Sequence, residues 1–303
     1  MKTLSCLLLC LLVCSGILHA QNGVQNNAES VPDWQKAAGG AMSFEVASIH
    51  EDKEAFKPPS FALSADEWFH DPNGRFHADF ALPTYIQFAY KIWLTGEETR
   101  AIFAKYPDWV RSTRFSIEAT APLHATKDQY RLMMQALLAE RFGLKMHFEQ
   151  KEIPVLAMVL VKPETPGPRL TPHAQGQPCD ETPKPETFPQ QCYSYMARPS
   201  KDGLWLAGSR ATSMNLLANF IGSLAEGADE IGRPVVDQTG LTGLWDYTLE
   251  ALNPGKVKAQ DPAAANGLTM LEAVRDQLGI KLKPTKAIVS LPVIDTLARP
   301  TEN

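Results

Sequence analysis

Residues 126–146 read TKDQYRLMMQALLAERFGLKM, and residues 269–282 read TMLEAVRDQLGIKL. In each stretch a Thr is followed three residues later by Gln or Glu, a capping box that predicts the start of a helix. Each helix pattern ends at a glycine, Gly143 or Gly279, which can adopt the left-handed conformation that closes a helix. Two helices of the same design indicate that the chain contains an internal repeat.

The repeat extends upstream of both helices. Residues 115–119, FSIEA, and 247–251, YTLEA, alternate apolar and polar side chains and predict half-buried strands. Further upstream, residues 74–78, GRFHA, and 203–207, GLWLA, predict the start of an earlier strand, and an amphipathic helix pattern follows each. The same landmarks in the same order predict two similar halves.

The segments after Gly143 and Gly279 complete each half. We expect both to form hairpins, whose return strands cover residues 155–161 and 288–294. Each half then contains strand, helix, strand, helix, strand and strand. The predicted fold class is α+β, with two similar halves that each form a small mixed sheet with two helices packed on it.

Composition shifts divide the chain into segments. Prolines recur from Pro163 to Pro199 too often for a helix or a central strand, which predicts a long surface excursion between the halves. The predicted segments are a signal peptide at 1–20, a tether at 21–43, a first α+β repeat at 44–162, a Pro-rich excursion at 163–202 and a second α+β repeat at 203–303.

The N-terminus predicts export. Lys2 precedes an apolar stretch that is too short to span a bilayer, and Ala20 offers the small residue of a cleavage site. The alternatives are an uncleaved anchor, a buried helix and a lipoprotein acylated on Cys14, but Cys14 lacks the small residue that normally precedes an acylated cysteine. We expect a periplasmic or secreted protein with no membrane span after cleavage.

The cysteines agree with export. Three of the five lie in the predicted signal peptide, so the mature chain keeps Cys179 and Cys192. An even pair in an oxidising compartment predicts one disulfide, and the alternative is two free thiols in a loop.

Charge and length limit the function classes. The 303 residues suffice for about two ordinary domains. Without Lys2 the mature chain carries 28 basic and 34 acidic side chains, so its formal charge is 28 − 34 = −6. Nucleic-acid binding needs a basic face, and this balance predicts no nucleic-acid partner.

One family resemblance covers residues 44–303. It rests on FEVASI at 44–49, LLAERF at 137–142, GRPVVDQTGLTG at 232–243 and VIDTLARPTEN at 293–303. These segments resemble the soil-associated protein family, a secreted family of unknown function, and the resemblance implies a sensing or regulatory role. Each half also resembles, more loosely, the short periplasmic domain at the N-termini of secretins and TonB-dependent receptors, which implies protein binding without chemistry.

Candidate site residues lie near the GRPVVDQTGLTG segment. Asp237 and Asp246 are candidates for an acid–base pair, which would require their pKa values to be pushed apart by burial. The alternative is a turn in which the Asp237 side chain bonds backbone N–H groups and glycines supply positive φ angles. We favour the turn, and the binding candidates are Arg233, Asp237, Thr239, Gly240, Gly243 and Asp246.

Part of a possible metal site is the second candidate for a functional site. His77 and Asp79 lie two residues apart on one face of a predicted strand, and His70, His124 or His147 could add a third ligand. The same spacing is common on solvated strand faces, so we predict no metal. No phosphate-binding loop or dinucleotide motif occurs, and we expect no cofactor.

Two function classes therefore remain open. The favoured one is a non-catalytic binding or sensing module of the cell envelope, whose partner is an unknown envelope protein, peptide or polymer. The alternative is an exported hydrolase that uses Asp237 and Asp246, or a metal at His77 and Asp79.

Overall fold

The structure is a computed structural model and describes residues 31–176, 178–179, 184, 186–200, 204–224, 233–252 and 267–300. The predicted signal peptide, residues 21–30 of the predicted tether and the last three residues lie outside this part of the chain. Within it, no helix is long and apolar enough to cross a membrane.

The first half begins with a short helix inside the predicted tether and continues into an antiparallel sheet. The sheet has the strand order β1-β3-β2, and its helices pack over a core of aromatic and aliphatic side chains. The elements are α1 (Asp33–Ala37), β1 (Val46–Asp52), β2 (Arg75–Ala81), α2 (Leu82–Tyr90), α3 (Gly96–Phe103), α4 (Trp109–Ser112), β3 (Arg114–Thr120) and α5 (Lys127–Phe142).

The second half is built around a second core. Its sheet has the strand order β5-β9-β7-β6, and the Pro-rich segment supplies both edge strands, where a missing N–H is tolerated. The elements are β5 (Leu170–Pro172), a 3-10 turn (His173–Gln175), β6 (Tyr195–Pro199), β7 (Trp205–Thr212), α6 (Met214–Leu224), β8 (Val235–Asp237), β9 (Trp245–Ala251) and α7 (Met270–Leu278).

The predicted α+β class is confirmed. In both halves a strand, a helix, an antiparallel neighbouring strand and a second helix follow one another. Both capping boxes form, with Thr126 before α5 and Thr269 before α7. Gly143 and Gly279 end these helices with φ angles of 57° and 68°, a conformation that favours glycine.

The predicted hairpins after Gly143 and Gly279 are wrong. The chain instead forms two long strands, β4 (Lys145–Leu160) and β10 (Ile280–Thr296), which pair with each other antiparallel. Residues 155–161 and 288–294 are the far ends of these strands and not separate return strands. The polar residues before them form the exposed middle of a two-stranded ribbon, although in sequence they resemble a turn.

Each of the two long strands begins at one hydrophobic core and ends in the other. β4 begins beside the first core at Met146 and ends in the second core at Met158. β10 begins in the second core at Ile280 and ends in the first core at Ile294. The Tyr106 hydroxyl donates a 2.6 Å hydrogen bond to the Ile294 carbonyl, which fastens the end of β10 to the first half.

A buried ion pair also joins the halves. The Lys127 ammonium lies 2.9 Å from the Asp66 carboxylate, and both residues are almost fully buried. Ser194, next to β6, donates a 2.7 Å hydrogen bond to the other Asp66 oxygen. Burial lowers the pKa of Lys127, and the adjacent Asp66 charge opposes that shift. The pair therefore holds the segment before β6 against the first half.

Candidate functional site

The segment after β8 forms an ordered turn on the surface. One Asp237 carboxylate oxygen accepts hydrogen bonds from the Thr239 N–H at 2.9 Å and the Thr239 hydroxyl at 2.8 Å. Gly240 and Gly243 have φ angles of 74° and 78°, which a residue with a Cβ rarely adopts. This is the arrangement expected of an Asp side chain that stabilises its own turn.

Three further contacts fix this turn, which we call the 238–244 turn. The Gln238 N–H donates to the Met158 carbonyl of β4 at 2.9 Å, and the Trp245 indole N–H donates to the Thr242 carbonyl at 3.0 Å. The His173 N–H donates to the Leu244 carbonyl at 2.9 Å. The turn is thus anchored at its start, within its span and at its end, while Leu244 remains 41% exposed.

Asp246 lies on β9, where its carboxylate contacts His173 and Ala211. One of its carboxylate oxygens lies 2.7 Å from His173 Nδ1 and accepts a 2.8 Å hydrogen bond from the Ala211 N–H. Asp237 bonds Thr239, whereas Asp246 bonds His173 and Ala211, so these hydrogen bonds do not join the two carboxylates. Arg233, the remaining binding candidate, is exposed at the start of the segment that leads into β8.

Sequence reasoning missed His173. This residue lies in the 3-10 turn, with Nδ1 toward Asp246 and Nε2 3.4 Å from the sulfur of Cys179. Cys179 forms a disulfide with Cys192, with Cα atoms 5.9 Å apart, which confirms the predicted pairing. No spacing motif marks a histidine whose two partners lie 6 and 73 residues away, so only the folded arrangement reveals it.

Two open grooves flank this cluster. One has a volume of about 370 Å³ and contains both cysteines, with Trp68 and Phe69 of the first half on its wall. The other has a volume of about 360 Å³ and contains Asp246 together with Phe188. Arg210 lines both grooves.

The possible metal site at His77 and Asp79 does not assemble. Arg114 lies 3.0 Å from the fully buried Asp79 carboxylate. The Arg114 guanidinium therefore occupies the position beside Asp79 that a metal ion would need. Burial, and next the neighbouring Asp52, raises the pKa of Asp79. His77 lies 3.9 Å from Glu118. Within the part of the chain that the structure describes, no group of three potential ligands could hold a metal ion.

Two of the three histidines considered as third ligands have carboxylate partners, and the third, His70, is exposed in the loop before β2. His124 Nδ1 lies 2.8 Å from Asp71, and His147 Nδ1 lies 3.0 Å from Asp295. The Asp295 carboxylate raises the pKa of His147, with Glu149 adding to the shift. The contact with Asp295 is therefore a surface pair that stabilises the charged imidazole of His147.

Fold and site together define a mixed α+β protein with two similar halves, an ordered surface turn and a histidine set between a carboxylate and a disulfide. The chain belongs to the family described as Protein of unknown function (DUF3738), whose model matches residues 83–297. The matched range spans most of both halves and includes the turn, His173 and both cysteines. No curated protein and no solved structure is significantly similar to the chain.

Proposed function

We propose that this protein is an exported module of the cell envelope that binds a protein, peptide or polymer through the 238–244 turn and the adjacent Arg233. The observation that carries the proposal is the turn itself, which is exposed and yet held by hydrogen bonds. Thr239 donates two of them to Asp237, Gln238 donates to Met158, Trp245 to Thr242 and His173 to Leu244. Functional residues are often found on loops that a rigid scaffold positions.

The energetics of binding support this choice of surface. A loop that is already ordered loses little conformational entropy when a partner binds, which leaves more of the interaction energy for affinity. Leu244 adds an exposed apolar side chain, and Arg233 adds a charged group that can form paired hydrogen bonds. The turn thus combines apolar contact, a positive charge and fixed backbone geometry.

Export is supported by several independent features. The N-terminus has the pattern of a signal peptide, and the Cys179–Cys192 disulfide suits an oxidising compartment. The resemblance to the soil-associated protein family implies secretion, and the resemblance to the short periplasmic domain of secretins and TonB-dependent receptors implies a protein partner.

The hydrolase alternative has less support. An acid–base pair needs two groups within reach of one substrate. The Asp237 carboxylate bonds the turn and the Asp246 carboxylate bonds His173, so each has a separate role. The buried Asp79 is paired with Arg114, so its carboxylate is already engaged and is not free to bind a metal ion together with His77.

A capture experiment with matched leucines tests the proposal. The full exported chain, its Leu244→Ser variant and its Leu123→Ser variant are immobilised and exposed to envelope extract. Leu123 is 71% exposed in the first half, so it controls for the loss of a surface leucine. We expect a discrete retained component with wild type and Leu123→Ser, and at least tenfold less with Leu244→Ser.

The same proteins are assayed against a broad panel of hydrolase substrates with and without a chelator. We expect no turnover from any of them. Hydrolysis that disappears with the chelator, or with Asp237→Ala or Asp246→Asn, would replace the binding proposal with the hydrolase alternative. Equal capture by all three immobilised proteins would show that the 238–244 turn is not the binding surface.

A further inference from the structure

Two successive contacts connect the Asp246 carboxylate to the His173 imidazole and the His173 imidazole to the Cys179 sulfur of the disulfide. The distances are 2.7 Å from Asp246 Oδ1 to His173 Nδ1 and 3.4 Å from His173 Nε2 to Cys179 Sγ. We propose that Cys179–Cys192 is a thiol-exchange site that accepts electrons from a dithiol, with His173 as the proton donor to Cys179. This inference goes beyond binding, because it assigns covalent chemistry to the disulfide, whose neighbour His173 also anchors the 238–244 turn through its backbone N–H.

The carboxylate sets the orientation of the imidazole. An ionised Asp246 has no proton to donate, so the proton between the two groups belongs to His173 Nδ1. Asp246 is itself fixed by the Ala211 N–H, which holds the ring in place. Nε2 therefore faces sulfur, where it can deliver a proton to a departing thiolate or take one from a thiol. A carboxylate, an imidazole and a sulfur in this order form the arrangement that activates cysteine nucleophiles.

The disulfide also borders an open groove, where Cys179 is partly exposed and Cys192 is 8% exposed. The groove of about 370 Å³ is lined by Cys179 and Cys192 and by Trp68, Phe69 and Tyr193. This volume admits a small thiol or an extended cysteine side chain of another protein. Because His173 contacts Cys179, the better leaving group is Cys179, and an incoming thiolate attacks Cys192.

Noncovalent contacts hold both cysteine-bearing segments without the disulfide. The Arg210 guanidinium donates to the Pro178 carbonyl at 2.8 Å and to the Gln190 carbonyl at 3.2 Å. The Tyr193 N–H donates to the Arg210 carbonyl at 2.9 Å, which fixes the residue after Cys192. The two thiols therefore stay close together after reduction, which allows the disulfide to form again.

The thiol–disulfide exchange takes place in two steps, and atoms and electrons balance over both. A thiolate of the dithiol attacks Cys192 Sγ, the S–S bond breaks, and its electron pair moves to Cys179 Sγ. His173 Nε2 donates a proton to that sulfur and regains one from the remaining thiol of the substrate. The second thiolate then attacks the substrate sulfur of the mixed disulfide and releases Cys192 as a thiolate, which takes up a proton. The dithiol is oxidised to a disulfide, and Cys179 and Cys192 become thiols.

Reduction kinetics of the full oxidised chain test the proposal. Dithiothreitol and a peptide with two cysteines serve as a small and a peptide dithiol, and the freed thiols are alkylated and counted by intact mass. Between pH 6 and 7 we expect wild type to react about tenfold faster than His173→Gln, since general acid catalysis contributes at least that much. The wild-type pH profile should contain a titration that the variant lacks. His147→Gln removes a histidine of another His–Asp pair and should match wild type.

A single-cysteine comparison separates chemistry from packing. In Cys192→Ser, the free Cys179 thiol should react with iodoacetamide about tenfold faster at pH 6.5 than in Cys192→Ser/His173→Gln. Circular dichroism should show that the reduced chain stays folded. Equal rates with and without His173, faster reduction of His173→Gln, or unfolding upon reduction would each overturn the proposal. None of these measurements uses the envelope partner, so this proposal and the binding proposal can fail separately.

Discussion

Glu152 and Ile288 are paired across β4 and β10, and each lies nine residues after the glycine that ends the preceding helix (152 − 143 = 9 and 288 − 279 = 9). Equivalent residues of the two halves therefore meet at one point of the ribbon. Each strand starts beside its own core and ends in the other core. The long strands thus hold the halves together through one extended antiparallel pairing, with a register shift between Ile294 and Thr296.

Loss of the Ile294 side chain should destabilise the whole protein. Ile294 is 3% exposed in the first core, although it belongs to the strand that begins in the second half. Ile294→Ala should lower the free energy of unfolding by about 3 kcal/mol, because it leaves a cavity. Ile288→Ala removes a residue that is 70% exposed in the same strand and should change it by less than about 0.5 kcal/mol. Urea denaturation measures the free energy of unfolding of both variants. Similar losses in the two variants would contradict the placement of Ile294 in the first core.

The buried pair between Lys127 and Asp66 should show strong coupling. Lys127→Met leaves a buried carboxylate without its counter-charge and should cost about 3 kcal/mol. The double variant Lys127→Met/Asp66→Asn should recover part of this loss, since the remaining group is neutral. Lys36→Met breaks an exposed pair with Asp33 and should cost less than about 1 kcal/mol. Guanidinium denaturation tests the cycle, and strictly additive effects of the two buried substitutions would show that the pair is not coupled.

The raised pKa of Asp79 should give a pH-dependent loss of stability. Its ordinary value is 3.8, and burial beside Asp52 raises it in the folded state. Between these two pKa values the folded chain binds a proton that the unfolded chain has lost, so stability falls as the pH rises through that window. Asp79→Asn cannot titrate and should lack this fall.

The measurement is the urea midpoint of both proteins from pH 3 to 7, taken as the difference between wild type and Asp79→Asn. Asp108→Asn is the control, because the Asp108 side chain is 93% exposed. As the pH rises, the urea midpoint of wild type should fall relative to that of Asp79→Asn. The difference in midpoint between wild type and Asp108→Asn should not change with pH. A difference that grows in favour of wild type would mean that Arg114 dominates the titration.

Local signals predicted much of the fold. Capping boxes need only a hydroxyl and a Glu or Gln three residues apart, so Thr126 and Thr269 were sufficient to place α5 and α7. The disulfide followed from the number of cysteines in the mature chain. The repeat predicted the strand, helix, strand and helix of each half, but the hairpin expected after them is a single long strand. The stronger form of the repeat, the superposition of residues 44–162 on 203–300, stays a prediction.

These local signals could not predict the long-range contacts. The partner of β4 lies more than a hundred residues away, and nothing local distinguishes a strand that pairs with β10 from one that turns back on itself. The contacts of His173 with Asp246 and Cys179 likewise depend on how the Pro-rich segment packs on β9. The turn at Asp237 was foreseen because an Asp that bonds its own backbone acts over two residues.

Site-specific photo-crosslinking most directly tests whether the 238–244 turn is the binding surface. A photoreactive residue replaces Leu244 in one exported full-length chain and Leu123 in another, and both are irradiated in cells. We expect a discrete adduct at Leu244 and none at Leu123. The adduct at Leu244 should disappear when Asp237→Ala removes both hydrogen bonds that Thr239 donates to Asp237. Adducts of equal yield at both positions, or none at Leu244 from a correctly folded and exported chain, would contradict this expectation.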